Sequence, residues 1–584
     1  MIRSCWMLAF ILAGVAGSVT VAHAAWPPSG LPMATGPSYQ TQPIGLTGPG
    51  GELQAFWVDT APSAYRLYSQ HVTIAGTLSP GWLAGGRGIV TSLAAISTPH
   101  ITPDGFGGAI LAWYDYRSIG GPRGVHAIRV DNEAAIVAGW TSSGTPVCTL
   151  STAQGGPIND LVAVCSDGAG GAFVAWTDSR NTPPMSTLVY DVFAQHMLAN
   201  GALDPVWPAA GRALTSGAGY KYPHALIADG GGGFWLASEN SFATSQEAVS
   251  HHAADGSPTG LWPTPSFASR VTAVSDGAGG VYVAWWDCRT CGSGGSEAIY
   301  AIRLVSEANP APNWPPGGVQ VGASPQNDDL PSIIRTMDGA AVVAWLQSGG
   351  VPDDGYIARR VEADGSFGPP WLGGGKAFVT SSDILSGWPL IASDAVGGAM
   401  FAFRRNSPNL FGSRVTAHAT VPEAFPDTGL SLCSLTGNQF PSSLVSDGLN
   451  GAYLLWEDRR DAPGSAIDVY VMRFTNEGQV GATTGAEPPH PPAAITLSAP
   501  RPNPARAMVA FDLALPMSAR SRVEVLDLAG RSVALLHDGE LEAGPHALQW
   551  NGRDAEGRRA SPGVYLVRAR ANGGEIAKRI VLLP

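Results

Sequence analysis

A phrase of about fourteen residues recurs along this chain and limits what it can fold into. Asp104-Gly105-Phe106-Gly107-Gly108 leads into Ala109-Ile110-Leu111-Ala112-Trp113-Tyr114-Asp115-Tyr116-Arg117. The phrase returns at 167–180, 276–289 and 447–460, with Trp176, Trp285 and Trp456 at the aromatic position. Weaker copies fall at 50–56, 229–238, 338–345 and 394–403. The positions equivalent to tryptophan read Phe56, Trp113, Trp176, Ser238, Trp285, Trp345, Phe403 and Trp456, spaced by 47 to 63 residues. Self-similarity at this period marks an array of stacked supersecondary units.

Each copy has the same grammar. An apolar run, often opened by proline as at 157–167, ends at the Asp-Gly turn. Asp-Gly and Gly-Gly provide the positive φ angles that tight hairpins need. An apolar strand then runs to the tryptophan, and a polar loop follows. Next comes an alternating strand such as 299–304 or 469–474, and then a segment holding Trp82, Trp140, Trp207, Trp262 or Trp371. Three or four strands per unit is the size of a propeller blade. A sheet this small cannot bury both faces alone, so units must stack. The strand ending at tryptophan is apolar on both faces, which predicts an inner strand between neighbouring blades. The expected fold is all-β: a seven- or eight-bladed β-propeller over residues 26–480, followed by a small immunoglobulin-like β-sandwich. A string of separate sandwiches is the weaker alternative, because units this short are marginal alone. A β-solenoid usually has shorter repeats.

The rest of the composition agrees. Charged residues are 14% and apolar residues 45% of the 584, the reverse of a disordered chain. A net charge of -12 argues against nucleic acid as a partner, since that needs a basic surface. Residues 1–24 read as a signal peptide: Arg3, an apolar stretch from Trp6 to Val21, and the small-x-small site Ala22-His23-Ala24. No later segment is apolar and long enough for a transmembrane anchor. The expected location is therefore secreted or at the cell surface. Five cysteines follow the leader. Cys288 and Cys291 are expected to form a local disulfide, and Cys148 with Cys165 is a second candidate pair. No second Cys-x-x-Cys exists to complete a zinc site, so no metal and no cofactor are assigned.

Residues 481–494 form a Pro-rich linker, with Glu487-Pro488-Pro489-His490-Pro491-Pro492 stiff and extended. Residues 495–584 then read as six or seven strands. Their motifs come in order: Pro502-Asn503-Pro504, Val525-Leu526-Asp527-Leu528-Ala529-Gly530-Arg531, Trp550-Asn551-Gly552-Arg553-Asp554, Gly563-Val564-Tyr565-Leu566-Val567, and Lys578. This succession resembles the FlgD-type immunoglobulin-like domain, and equally the type A sorting domain of the type IX secretion system. The resemblance implies a bacterial protein whose C-terminal domain engages outer-membrane secretion machinery. It further implies that the tail is removed on attachment or release. The terminal Leu583-Pro584 departs from the Lys-rich ending usual in that family.

The best candidate site is the recurring Trp-x-Asp-x-Arg. It places Asp115 and Arg117, Asp178 and Arg180, Asp287 and Arg289, and Asp458 and Arg460 at equivalent positions. Guanidinium groups on one ring could converge on an anionic ligand, since each binds carboxylate bidentately. The competing reading is structural: Asp accepts loop N–H groups and Arg pairs with the next blade. The sialidase analogy lacks its Ser-x-Asp-x-Gly-x-Thr-Trp box. Trp286 and Trp57 are candidates for exposed stacking platforms. No phosphate loop, His-Glu-x-x-His or Gly-x-Ser-x-Gly motif is present, and no catalytic residue is assigned. The leading expectation is a non-catalytic module binding a glycan or protein ligand. A glycan-active hydrolase and a structural stalk or surface-layer component are the alternatives.

Overall fold

The computed structural model describes residues 26–583, except 482–494 and internal segments. The longer of these segments are 117–123, 150–160, 183–188, 241–247, 290–296, 349–354, 381–388 and 461–466, and the others span one to four residues. The leader and all of the linker but Gly481 lie outside the described residues.

The third unit shows how the sequence builds a blade. Strands Val162–Ser166, Ala172–Asp178, Asp191–Met197 and Arg212–Ala213 form one antiparallel meander. Trp176 stands opposite Val162 on one side and Phe193 on the other. Gly168 and Gly170 turn the first hairpin at φ +77° and +90°. The last glycine of the phrase has a different role. A Cβ on Gly171 would sit 2.2 Å from the Met197 carbonyl, so the third strand can approach only a glycine.

Eight such sheets occur among the described residues, each of four strands except the fifth, which carries an extra short one. The first strands touch their neighbours in sequence, and Tyr39–Thr47 returns beside Gln439–Ser446, so the ring is closed. Blades 1 to 7 are continuous in sequence. Blade 8 is composite. Gln439–Ser446, Gly451–Asp458 and Asp468–Thr475 come from the end of the array, and Leu31–Ala34 from its beginning adds the outermost strand. Leu31 pairs with Val471.

Two expectations need correction. The strand ending at tryptophan is second from the axis, and the run ending at Asp-Gly is innermost. The second strand is nonetheless buried on both faces, because it has a sheet neighbour on each side and a blade above and below. In blade 1 the equivalent of Trp113 is Trp57, not Phe56. Gly86 lies against the Trp57 ring as Gly144 lies against Trp113 and Gly211 against Trp176, each with room for no Cβ. Trp57 is fully buried, so it is no stacking platform.

A repeated hydrogen bond joins five of the blades to the next. Indole N–H groups of Trp140, Trp207, Trp314 and Trp371 donate to the carbonyls of Ala199, Ala254, Ala363 and Ala417 at 3.0, 3.0, 3.0 and 2.8 Å. Each acceptor is the second residue of the turn between the third and fourth strands of the following blade. Trp26, ahead of the closing strand, does the same to Ile74 of blade 1 at 3.1 Å. The composite blade therefore seals the ring with the bond used elsewhere.

The C-terminal residues form a sandwich. One sheet holds Thr496–Leu497, Val509–Leu515 and Gly544–Trp550. The other holds Ser532–Leu541, Ala519–Leu526, Gly563–Ala571 and Gly574–Leu582. Val509, Leu513, Val523, Val567 and Ile580 are fully buried between them, with Trp550 edge-on to Tyr565 at 5.0 Å.

Cys148 and Cys165 are both free and buried. The expected bridge does not form, because Cys148 is on the outer strand of blade 2 and Cys165 on the innermost strand of blade 3. Cys288 is disulfide-bonded, and Cys291 lies outside the described residues.

Candidate functional site

The Trp-x-Asp-x-Arg positions form a clasp inside blades 3, 5 and 8. Asp287 accepts the Trp285 indole N–H at 2.9 Å, the Arg289 backbone N–H at 2.8 Å and the Arg289 guanidinium Nε at 2.9 Å. The same guanidinium lies 3.8 Å over the Tyr300 ring and donates to the Gly317 carbonyl at 3.2 Å. Asp178 and Arg180 repeat this with Trp176, Phe193 and the Ala210 carbonyl. Asp458 and Arg460 repeat it with Trp456, Tyr470 and the Ser29 carbonyl. Asp115 accepts from Trp113 at 3.3 Å, and Arg117 lies outside the described residues. The three described guanidinium groups thus reach away from the axis and tie the second and third strands to the turn before the fourth. Each pairs with its own aspartate, not with that of the next blade.

The Asp-Gly turns hold a second set of pairs, at the opposite ends of the strands. Asp447 Oδ1 accepts the N–H groups of Leu449 and Gly451, at 2.8 and 2.9 Å. Its Oδ2 accepts from Arg473 of the third strand at 2.7 Å. Asp104 with Arg129, Asp276 with Arg303 and Asp394 with Arg414 repeat this pairing, and in blade 6 Asp338 pairs with Arg360. Blades 3 and 4 use histidine instead: His196 with Asp167 and His251 with Asp229. His196 also faces Asp204 at 2.8 Å. Burial opposes charge there, yet the hydrogen bonds that the imidazole gives to both carboxylates prevail, so His196 titrates above its usual range and Asp167 below its own.

The innermost strands carry what the repeat does not explain. Five of them are interrupted by a bulge near their first half, in blades 1, 4, 5, 6 and 8. At three of these bulges a non-glycine residue has positive φ: Gln42 at 58°, Arg270 at 59° and Leu330 at 56°. Such conformations cost on the order of 1 kcal/mol each and persist only where the surroundings impose them. A bulge turns a side chain out of the pleat. Here it brings charged groups of blades 4, 5 and 6 together. His224 Nε2 lies 2.7 Å from Glu239 Oε2, and Arg270 Nε donates to Asp329 Oδ1 of the next blade at 3.1 Å. The His224 hydrogen bond, with the charge of Arg270 adding to it, holds the Glu239 carboxyl below the usual range. Glu239 is also where blade 4 departs from the repeat, since Ser238 replaces the tryptophan before it. Trp286, half-buried, stands opposite Ser269, next to Arg270 on the same strand pair.

The members of this cluster share no spacing, so no motif marks them in the sequence. The signal available was the weakness of the copy at 229–238. Chemically, the cluster offers two carboxylates, a guanidinium, an imidazole and a half-buried indole around the start of three innermost strands and the end of the second strand of blade 4. Among the described residues, no group of three or more His, Cys, Asp or Glu side chains is placed to hold a metal ion.

Fold and site together define an eight-bladed β-propeller with an immunoglobulin-like domain after it. Residues 504–575 match the family model of the FlgD Ig-like domain. No curated protein matches the sequence. Among solved structures, an ulvan lyase of a polysaccharide lyase family is similar at 9% identity and a TM-score of 0.39, covering 66% of this chain and 94% of the lyase. The propeller domain of the trilobed protease of Pyrococcus furiosus is similar at 6% identity and a TM-score of 0.35, covering 77% and 99%. PorZ, a surface component of the type IX secretion system of Porphyromonas gingivalis, is similar at 12% identity and a TM-score of 0.22, covering 94% and 82%. Likenesses at these scores assign no activity to this chain. Among the described residues, no helix is long and apolar enough to cross a membrane.

Proposed function

We propose that this is an exported bacterial protein whose propeller binds a polar ligand, a glycan or a protein surface, without turning it over. The observation that carries the reading is the meeting of His224, Arg270 and Asp329, from the bulged innermost strands of three blades, with Glu239 of the second strand of blade 4. These side chains are partly exposed, so their remaining donors and acceptors face solvent. A glycoside hydrolase needs one carboxylic acid kept protonated. Glu239 is instead held ionised, and Asp329 is paired with a guanidinium. That chemistry fits recognition of hydroxyl or charged groups better than proton donation. The test is a glycan-array and surface-protein screen of the full chain, followed by Arg270→Ala on any hit. Binding should weaken at least tenfold while the thermal midpoint stays within a few degrees. Turnover of a glycan by the wild type, lost in Glu239→Gln, would replace this reading with the hydrolase one.

The tail is proposed to direct export or surface attachment through the outer-membrane secretion machinery, after a leader cleaved behind Ala24. The supporting observation is the FlgD Ig-like match at 504–575. Deleting residues 495–584 should leave the propeller in the periplasm of a type IX-competent host. Its appearance at the surface or in the medium without the tail would refute the sorting role.

A further inference from the structure

We infer that the seam between blades 1 and 2 is a binding site for a guanidinium group. The reasoning starts from what the other seams contain. In seven blades a carboxylate of the Asp-Gly turn pairs with a basic side chain of the third strand, arginine in five and histidine in two. In several of them the arginine continues to a carbonyl of the next blade. Arg129 reaches Ala199, Arg303 reaches Ala363 at 3.2 Å, and Arg414 reaches Asn476 at 2.9 Å. Ala199 and Ala363 are also the carbonyls that Trp140 and Trp314 engage.

Blade 1 has exchanged these parts. The turn bond from Gly48 N–H to the Glu52 carbonyl matches that from Asp104 N–H to Gly108, so glycine stands where aspartate should be. The carboxylate comes instead from Glu52, which folds back over Gly48: a Cβ there would lie 2.6 Å from Glu52 Oε1. His71 occupies the place of Arg129, since it stands opposite Gln54 as Arg129 stands opposite Ile110. Neither His71 ring nitrogen has a hydrogen-bond partner among the described residues, unlike those of His196 and His251. Burial pushes its imidazole below the usual range, against the charges of Glu52 and Glu133.

The acceptor in the next blade is idle too. The turn from Asp131 to Ala135 makes Asn132 the equivalent of Ala199. No donor reaches the Asn132 carbonyl among the described residues. Trp82, the tryptophan due to do so, is 6% exposed and its indole nitrogen is buried with no partner. Between these groups lies a cleft of about 370 Å³, lined by Glu52, Gln54, His71, Pro103, Asn132 and glycines of both turns. An unpaired carboxylate, an unpaired carbonyl and a neutral imidazole line the cleft and no Lys or Arg does, since Arg87 in the same seam is engaged with the Glu133 carbonyl and lies over the Trp82 ring. In five of the seven other blades the group that completes such a set is the planar guanidinium of arginine, which in blades 2, 5, 6 and 7 serves a carboxylate and a carbonyl of the next blade at once. The cleft opens on the Asp-Gly side, away from the cluster of blades 4 to 6, and does not depend on it.

The test is calorimetric titration of the full chain with N-acetyl-arginine amide and with its uncharged analogue N-acetyl-citrulline amide. Saturable binding of the arginine amide is expected, with the citrulline amide at least tenfold weaker. Glu52→Gln should weaken arginine binding at least tenfold. His71→Arg should abolish it and raise the thermal midpoint, because the blade then fills its own cleft. That second variant keeps the test decisive if the first is poorly folded. Free L-arginine run alongside separates the sources: tighter binding of the capped form assigns the site to an arginine of a polypeptide, tighter binding of the free form to the amino acid. Equal affinity for arginine and citrulline amides, no binding at all, or full binding by His71→Arg would overturn the assignment.

Discussion

The same local device occurs in both parts of the molecule and has different weight in each. In the propeller, Asp447 accepts two turn N–H groups and the Arg473 guanidinium, and the two side chains are 0% and 3% exposed. In the sandwich, Asp527 accepts the N–H groups of Ala529 and Arg531 and the Arg531 guanidinium at 2.7 Å. The Arg531 side chain is 81% exposed. The chemistry is alike, and the surroundings are not. Stacked blades exclude water from the first pair, whereas the second lies on an outer turn. Breaking a buried pair strands a charge, while an exposed one is screened and replaced by water.

Four substitutions would break or sharpen that contrast. Arg473→Met leaves Asp447 charged and buried, and should cost about 3–5 kcal/mol in a denaturant titration. A loss below 1 kcal/mol would show that water reaches the pair. Asp287→Asn removes the charge from the clasp of Trp285 and Arg289, and should cost about 2 kcal/mol without altering ligand binding at blades 4 to 6. Altered binding would return these residues to the candidate site.

His196→Gln probes the titratable version of the pair. His196 titrates above its usual range in the folded state, so its contribution is complete below the unfolded value of about 6.5 and is lost as pH rises through the raised folded value. Wild-type stability should therefore fall over that window, and the variant should show a flatter profile. Equal slopes would mean that other groups set the pH response. Arg531→Ala is the smallest case: no change in thermal midpoint beyond error is expected. A clear drop would place that turn in a more protected setting than its exposure suggests.

Much of the architecture was legible because the repeat is local. Asp-Gly turns, the buried tryptophans and the period of each unit are written within a few residues of one another, and they lead to blades. The blade count was open because the closing strand at 31–34 has no repeat phrase of its own. Phe56 stood in for Trp57 in the sequence pattern of blade 1 because Gly48 takes the place of the turn aspartate there and Glu52 that of the last glycine. The site was less legible. Trp-x-Asp-x-Arg stood out through repetition, and repetition marked a clasp that every strong blade needs. His224, Glu239, Arg270 and Asp329 stood out by nothing, because a bulge is a property of register between strands and not of any one segment. The cleft at Glu52 and His71 has the same origin, being visible only once the pattern of the seven other blades is known.

The composite eighth blade sets a timetable. Arg460 reaches the Ser29 carbonyl across 431 residues, so the ring is sealed by the earliest-made part of the array meeting the latest. Until Thr475 has emerged, Leu31–Ala34 has no strand to pair with and Trp26 has no blade in which to sit. Contacts of such separation form late, after most of the chain-closure entropy has been overcome. The array therefore stays open through most of its synthesis and becomes a ring only when its last strands meet its first.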